Sequence, residues 1–211
     1  VSQLTFTSVN WNEAQTVTVT GVDDSVVDGS VDYSVVLGVA VTSDSNYSGL
    51  DPADVSLSNA DDDIATLSLD LGAASVSEGS TLVGVVSRNT DTGSPLTVSL
   101  VSGDPNEASV SGTVTIASGS TSAQFVITGV EDSFVDGDQQ VLISVDSSGY
   151  TGASGAVTVV DTTTPALSLS LADAAISESG GVTTGTVTRN SSGDAVELTI
   201  VSSDVTEATV N

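Results

Sequence analysis

The sequence predicts an all-β chain of tandem seven-stranded antiparallel sandwiches with Greek-key connections. Three observations lead there. Short runs of alternating apolar and polar residues recur, separated by clusters of Gly, Asp, Asn and Ser, the signature of half-buried strands joined by turns. The composition is rich in Val, Thr and Ser, with 20 Gly and few aromatic residues, and β-branched side chains favour strands. The pattern also returns about every 100 residues, the length of one sandwich. No stretch holds a helical apolar period, and no apolar run nears the roughly 20 residues of a membrane-spanning helix.

The repeat is visible in matched motifs. LSL at 67–69 returns at 167–169, VSE at 76–78 as ISE at 176–178, and SRN at 87–89 as TRN at 188–190. VSGD at 101–104 returns as VSSD at 201–204, and Glu107-Ala108 as Glu207-Ala208. The offsets are 100 or 101, so Arg88 and Arg189 occupy equivalent places. Residues 65–165 form a complete repeat, 1–64 match only its second half, and 166–211 only its first. Joining EATVN at 207–211 to VSQLTF at 1–6 reads smoothly against EASVSGTVTI at 107–116. The expectation is a chain two repeats long whose ends fall in mid-repeat.

In chain order, the first half-repeat offers alternating runs at 16–20 and 33–37. The complete repeat offers seven, at 66–71, 82–88, 96–101, 112–116, 123–128, 140–145 and 156–160. Half a sandwich leaves inward-facing Val, Leu and Ile uncovered and strand edges unpaired. Each half-repeat alone is therefore expected to be poorly ordered or sticky.

Charge narrows the function. Twenty-eight acids stand against two arginines, with no His, for a net charge of −26. Nucleic-acid binding is excluded as an expectation, because phosphates are gripped by Lys and Arg, and so is docking to an anionic membrane. Bound divalent cations would relieve the self-repulsion locally, whereas a saline habitat would screen it everywhere. With no Cys, no disulfide staples the fold, and bound metal fits the role of another clamp. Without His or Cys, the usual catalytic bases and soft-metal ligands are missing, so no enzyme is expected.

The acids concentrate in one motif. GVEDSFVDG at 129–137 has a near copy, GVDDSVVDG, 108 positions earlier at 21–29, each between two alternating runs. Glu131, Asp132 and Asp136, with the carbonyl of Phe134, make one dense group of oxygens. Asp23, Asp24 and Asp28, with the carbonyl of Val26, make the other. Such a set suits a hard cation such as Ca²⁺, which takes 6–8 oxygen ligands. The alternative is that Asp and Gly merely shape turns.

The strand–GV(D/E)DSxVDG–strand pattern, the VSEG at 76–79 and the Asp61-Asp62-Asp63 tail together resemble the Calx-β domain, over essentially the whole chain. That family includes the calcium-binding domains of sodium–calcium exchangers and tandem arrays in bacterial surface proteins. LTFTSVNWN at 4–12 and TSDSNYSGLDP at 42–52 are more similar to the bacterial arrays. The resemblance implies an immunoglobulin-like sandwich with Ca²⁺ at one end, near the next domain. It also implies a ligand set of Glu78, Asp104, Glu131, Asp132, the Phe134 carbonyl, Asp136 and Asp161. The tail at 160–164 holds only Asp161 where the family carries two or three Asp, so this site is expected to be the weaker. The first half-repeat keeps the full tail, giving Asp23, Asp24, Asp28, Asp61, Asp62 and Asp63. Its missing partners, Glu178 and Asp204, lie in the last half-repeat.

Other features read as structural. Asp44, Asn46, Gly49 and Asp51 lack the final Glu and flanking helices of an EF-hand and read as a turn. Each arginine is expected to pair with a carboxylate of its own domain. Asn46 and Asn190 head N-x-Ser acceptor patterns of a kind common by chance. Trp11, Tyr47 and Tyr150 read as packing residues.

Together these readings lead to an extracellular or cell-surface structural repeat, stiffened by Ca²⁺, forming a fibre, stalk or adhesin spacer. Its expected partners are other copies of itself, head to tail by strand complementation, or neighbouring repeats of a longer chain. Self-closure of the halves would have to span a middle domain at least ~20 Å long. A Ca²⁺-sensing regulatory module and a carbohydrate- or surface-ligand-binding adhesin domain are the alternatives.

Overall fold

A computed structural model of the chain describes residues 3–210. The matches drawn above at Val1, Ser2 and Asn211 fall outside those residues. The chain divides into two units, Val1–Ile64 and Ala65–Asn211, and no helix occurs among the described residues.

The first unit holds one antiparallel hairpin, β1 (Val31–Val35) and β2 (Val55–Asn59), with Val31 opposite Asn59 and Val35 opposite Val55. Its long connection contains a turn at Asp44, whose Oδ1 accepts from the Asn46 N–H at 2.9 Å while its carbonyl accepts from Ser48 N–H at 2.9 Å. The run at 16–20, expected to be a strand, is not one. Alternation alone does not hold a strand. The ladder partners that its counterpart has in the complete repeat are not encoded in 1–64. The run expected at 33–37 is paired at Val31–Val35 instead.

The second unit contains the complete sandwich. Its strands are β3 (Leu67–Asp70), β4 (Ser75–Ser77), β5 (Thr81–Arg88), β6 (Leu96–Ser102), β7 (Ala108–Val110), β8 (Thr113–Ile116), β9 (Ser122–Gly129), β10 (Gln139–Asp146) and β11 (Ala153–Val160). One sheet runs β3-β5-β9-β7 and the other β4-β11-β10-β6-β8. All pairs in them are antiparallel except β4 with β11. The seven expected strands become nine, because β4 and β7 are three-residue edge strands too short to show a period.

Inward-facing residues of both sheets make one core, including Val86, Phe125 and Ile127 from the first and Val98, Ile143 and Val157 from the second. Burying each such side chain stabilises the fold by about 1.5–3 kcal/mol. Gly84 is required by packing, since a Cβ there would lie 2.6 Å from Phe125 Cζ. Every buried apolar residue among those described lies between Leu67 and Val159.

Residues 166–210 add only the hairpin β12 (Leu167–Leu171) and β13 (Gly185–Arg189), with Leu167 opposite Arg189. It meets the sandwich where the Val135 N–H donates to the Asn190 carbonyl at 2.7 Å. The arginines depart from expectation. Buried Arg88 donates to the carbonyls of Ser94 (2.9 Å) and Ser120 (3.0 Å), and Arg189 to those of Asp194 (2.9 Å) and Gly193 (3.2 Å). They tie loops together through peptide oxygens rather than side-chain carboxylates.

Candidate metal centre

The loop from β9 to β10 gains its shape from its own acids. Asp132 Oδ1 accepts from the Phe134 N–H at 2.7 Å, closing a tight turn. Gly137 adopts φ = 85°, a left-handed conformation that suits glycine, and donates its N–H to Asp161 Oδ2 at 2.9 Å. Asp161 Oδ1 accepts from the Thr163 N–H at 2.8 Å. Both oxygens of Asp161 thus brace the loop against the tail after β11.

The neighbouring β6–β7 turn supplies a further acid. Asp104 Oδ1 accepts from Asn106 N–H at 3.0 Å, its carbonyl accepts from Ala108 N–H at 3.0 Å, and Glu107 sits within that turn. The Glu107 carbonyl accepts from Val130 N–H at 2.7 Å, which fastens the two loops together. One carboxylate oxygen each from Glu107, Asp132 and Asp136 then lie within 4.8 Å of one another. Burial pushes the Glu107 carboxyl above the ordinary range, and the charges of Asp136, Asp104, Asp132 and Glu78 push it the same way. No other group of this kind occurs among the described residues.

Glu78 borders the cluster and is buried. Its Oε2 accepts from the Thr162 N–H at 3.1 Å and the Thr163 hydroxyl at 3.3 Å. Where the first unit carries Asp62 and Asp63, this tail offers the Thr162 N–H and the Thr163 hydroxyl, so Glu78 is answered without added negative charge. Glu131 lies apart. Its Oε2 is packed over Gly79, where a Cβ would come within 2.9 Å. The Phe134 side chain is exposed.

The first unit builds the same loop. Val26 N–H donates to Asp24 Oδ1 at 2.7 Å, Gly29 N–H to Asp61 Oδ2 at 2.6 Å, and Asp63 N–H to Asp61 Oδ1 at 3.0 Å. Asp23, Asp24, Val26, Asp28, Asp61, Asp62 and Asp63 all line one cleft of about 270 Å³. The N–H groups of Asp63, Gly29 and Asp28 hold Asp61 below the usual carboxylate range. Burial, then the charges of Asp61, Asp24, Asp23 and Asp62, push Asp63 above it. This set has more acids but no three oxygens as close as those of the complete sandwich. The unit has no counterpart of Glu78, Asp104 or Glu107 to close the ring.

Glu178 is exposed, in a turn closed by the Gly181 N–H on the Ser177 carbonyl at 2.8 Å. Asp204 repeats the turn of Asp104, and the Thr206 hydroxyl (2.6 Å) and N–H (2.9 Å) hold it below its ordinary range. Residues 166–210 encode no second acidic loop for either of them to face.

Sequence reasoning missed Glu107. The signal was present in its return as Glu207, three residues after Asp204 as Glu107 is three after Asp104.

No protein-family model and no curated protein matches this sequence. Among solved structures, the chain is similar to the apo-form Calx CBD1 domain, at 18% identity and a TM-score of 0.39, over 47% of this chain and 98% of that one. It is also similar to CBD12 from CALX1.2, at 14% identity and a TM-score of 0.39, over 59% and 70%. A third likeness is the E. coli chaperone DraB, at 14% and 0.34, over 47% and 56%. The all-β assignment rests on the strand pairing itself.

Proposed function

We propose that this chain is a non-enzymatic structural repeat that binds Ca²⁺ through its acidic end loops and serves, outside the cell, as part of a fibre, stalk or adhesin spacer. The observation that supports it most is the convergence of Glu107, Asp132 and Asp136 to within 4.8 Å, drawn from two loops that a backbone bond holds together. Like charges so close, with Glu78 and Asp104 beside them, favour a hard divalent cation with oxygen ligands. When bound, the ion supplies the positive charge that this end of the sandwich lacks. Asp161, Thr162 and Thr163 position the loop and Glu78 around it.

An affinity in the 10⁻⁴–10⁻³ M range typical of extracellular modules would keep the sites loaded outside cells. The recurrence of the same loop hydrogen bonds in the first unit supports one repeated device rather than a single binding pocket. Assembly is head to tail, through further repeats or further copies, and such contacts propagate rather than close.

Thermal unfolding with Ca²⁺ and with chelator tests the metal reading. A midpoint that rises with Ca²⁺ and falls with chelator supports it; identical midpoints would reject it. Light scattering on a sizing column, in both conditions, tests head-to-tail assembly. Polymers are expected, and a monomer throughout would remove that part.

A further inference from the structure

The hairpins β1–β2 and β12–β13 keep the register of the complete sandwich while exposing the faces that it buries. Val31 faces Asn59 and Val35 faces Val55, as Gln139 faces Val159 and Ile143 faces Gly155 in β10–β11. Leu167 faces Arg189, as Leu67 faces Arg88 in β3–β5. On the inner face of the sandwich Val145 and Leu100 are 2% and 4% exposed, whereas their counterparts Leu37 and Ile200 are 41% and 45% exposed. Val17 and Val19 are likewise exposed where Phe125 and Ile127 are buried.

We propose that residues 3–64 of one copy of this chain and residues 166–210 of a second copy complete each other, in the register of the intact sandwich. The inference rests on the head-to-tail reading above and adds the surface and the pairing. Residues 35–38 lie beside 199–202 as β10 lies beside β6. Val36 then faces Val201 as Ser144 faces Val101, and Leu37 faces Ile200 as Val145 faces Leu100. Residues 14–17 lie beside 185–188 of β13 as Ser122–Phe125 lie beside Gly84–Ser87, which brings Val17 opposite Gly185 where Phe125 lies opposite Gly84.

Two observations favour a copy of this chain over an unrelated partner. The counterparts of β6 and β10, neighbours in the sandwich, are divided between the two segments, as are those of β5 and β9. Arg88 binds one carbonyl in its own loop, Ser94, and one in the β8–β9 turn, Ser120. Among the described residues, Arg189 donates to carbonyls of its own loop, Asp194 and Gly193. The turn equivalent to β8–β9 lies at 7–13, in the other segment.

The chain has no cysteine, so single introduced thiols report the register. Val36→Cys and Val201→Cys chains, purified separately and mixed, are oxidised and resolved without reductant, beside a mixture of Val36→Cys with Ser203→Cys. Directly opposed antiparallel residues meet disulfide geometry and those two positions off do not. The 36/201 mixture should therefore give about tenfold more heterodimer. Equal yields, or no heterodimer, would overturn the proposal. So would a Val36→Cys/Val201→Cys double variant that closes only on itself as a disulfide monomer. Light scattering on the same samples separates the two readings. Polymers without the 36/201 heterodimer overturn this register and leave head-to-tail assembly standing, whereas a monomer under all conditions overturns both.

Discussion

Glu107, from the turn before β7, and Asp136, from the loop before β10, present carboxylate oxygens within 4.8 Å of each other. The fold enforces this approach. The Glu107 carbonyl takes the Val130 N–H at 2.7 Å, and Asp161 fixes Gly137 at 2.9 Å. Both acids are therefore held at one end of the sandwich by backbone hydrogen bonds.

The metal-free protein should gain from losing one of these charges. Glu107→Gln is expected to raise the thermal midpoint measured in chelator while abolishing most of the rise that Ca²⁺ produces. A midpoint lowered in chelator would mean that Glu107 supports the fold through a contact rather than opposing it by repulsion.

Stability without metal should depend on pH in a stated direction. Burial and neighbouring charges raise the Glu107 carboxyl above its ordinary 4.5, so the folded state holds that proton more tightly than the unfolded one. The contribution is fully present below the unfolded value and is lost as pH rises through the raised folded value. In chelator, denaturant midpoints should thus fall as pH climbs from about 4.5 toward neutrality, and Glu107→Gln should flatten that slope. Asp61 works in reverse. Its carboxyl is held below 3.8 by the N–H groups of Asp63, Gly29 and Asp28, so its contribution is present above 3.8 and lost as pH drops through the lowered value.

Equivalent residues should differ in cost according to burial. Ile127→Ala, in the core, is expected to destabilise by about 2–5 kcal/mol. Val19→Ala, at the matching but exposed place, should change monomer stability by no more than about 0.5 kcal/mol. Denaturant titration of both variants checks this, and a comparable cost at Val19 would show that its face is already covered in the monomer.

Gly84→Ala should also destabilise, by about 1–3 kcal/mol, because its Cβ would meet the Phe125 ring at 2.6 Å. Pairing it with Phe125→Leu should recover part of the loss. A neutral single substitution would mean that the ring shifts freely.

The sequence revealed what local pattern determines and missed what long-range packing determines. The seven alternating runs of the complete repeat became strands because each has a buried face and a neighbour to pair with. The run at 16–20 alternates equally well, yet remains irregular in a unit that encodes no partner for it. β4 and β7 escaped notice because three residues are too few to display a period. At the acidic loop, the repeated GV(D/E)DSxVDG motif placed Asp24 and Asp132 in matching turns, and its local geometry was legible. Glu107 was marked only by its return as Glu207, since its approach to the loop 25 residues later depends on how the chain folds back. The arginines misled through charge. Arg88 finds Ser94 and Ser120 carbonyls because peptide oxygens lie where its buried guanidinium reaches.

Calorimetric titration of Ca²⁺ into the 211-residue chain, beside the Glu107→Gln/Asp136→Asn variant, distinguishes a cation site from a merely acidic turn. Binding near 10⁻⁴–10⁻³ M is expected, with the sites of the complete sandwich weakened at least about tenfold in the variant. Absence of binding to the unaltered chain, or equal binding by the variant, would contradict the cation site.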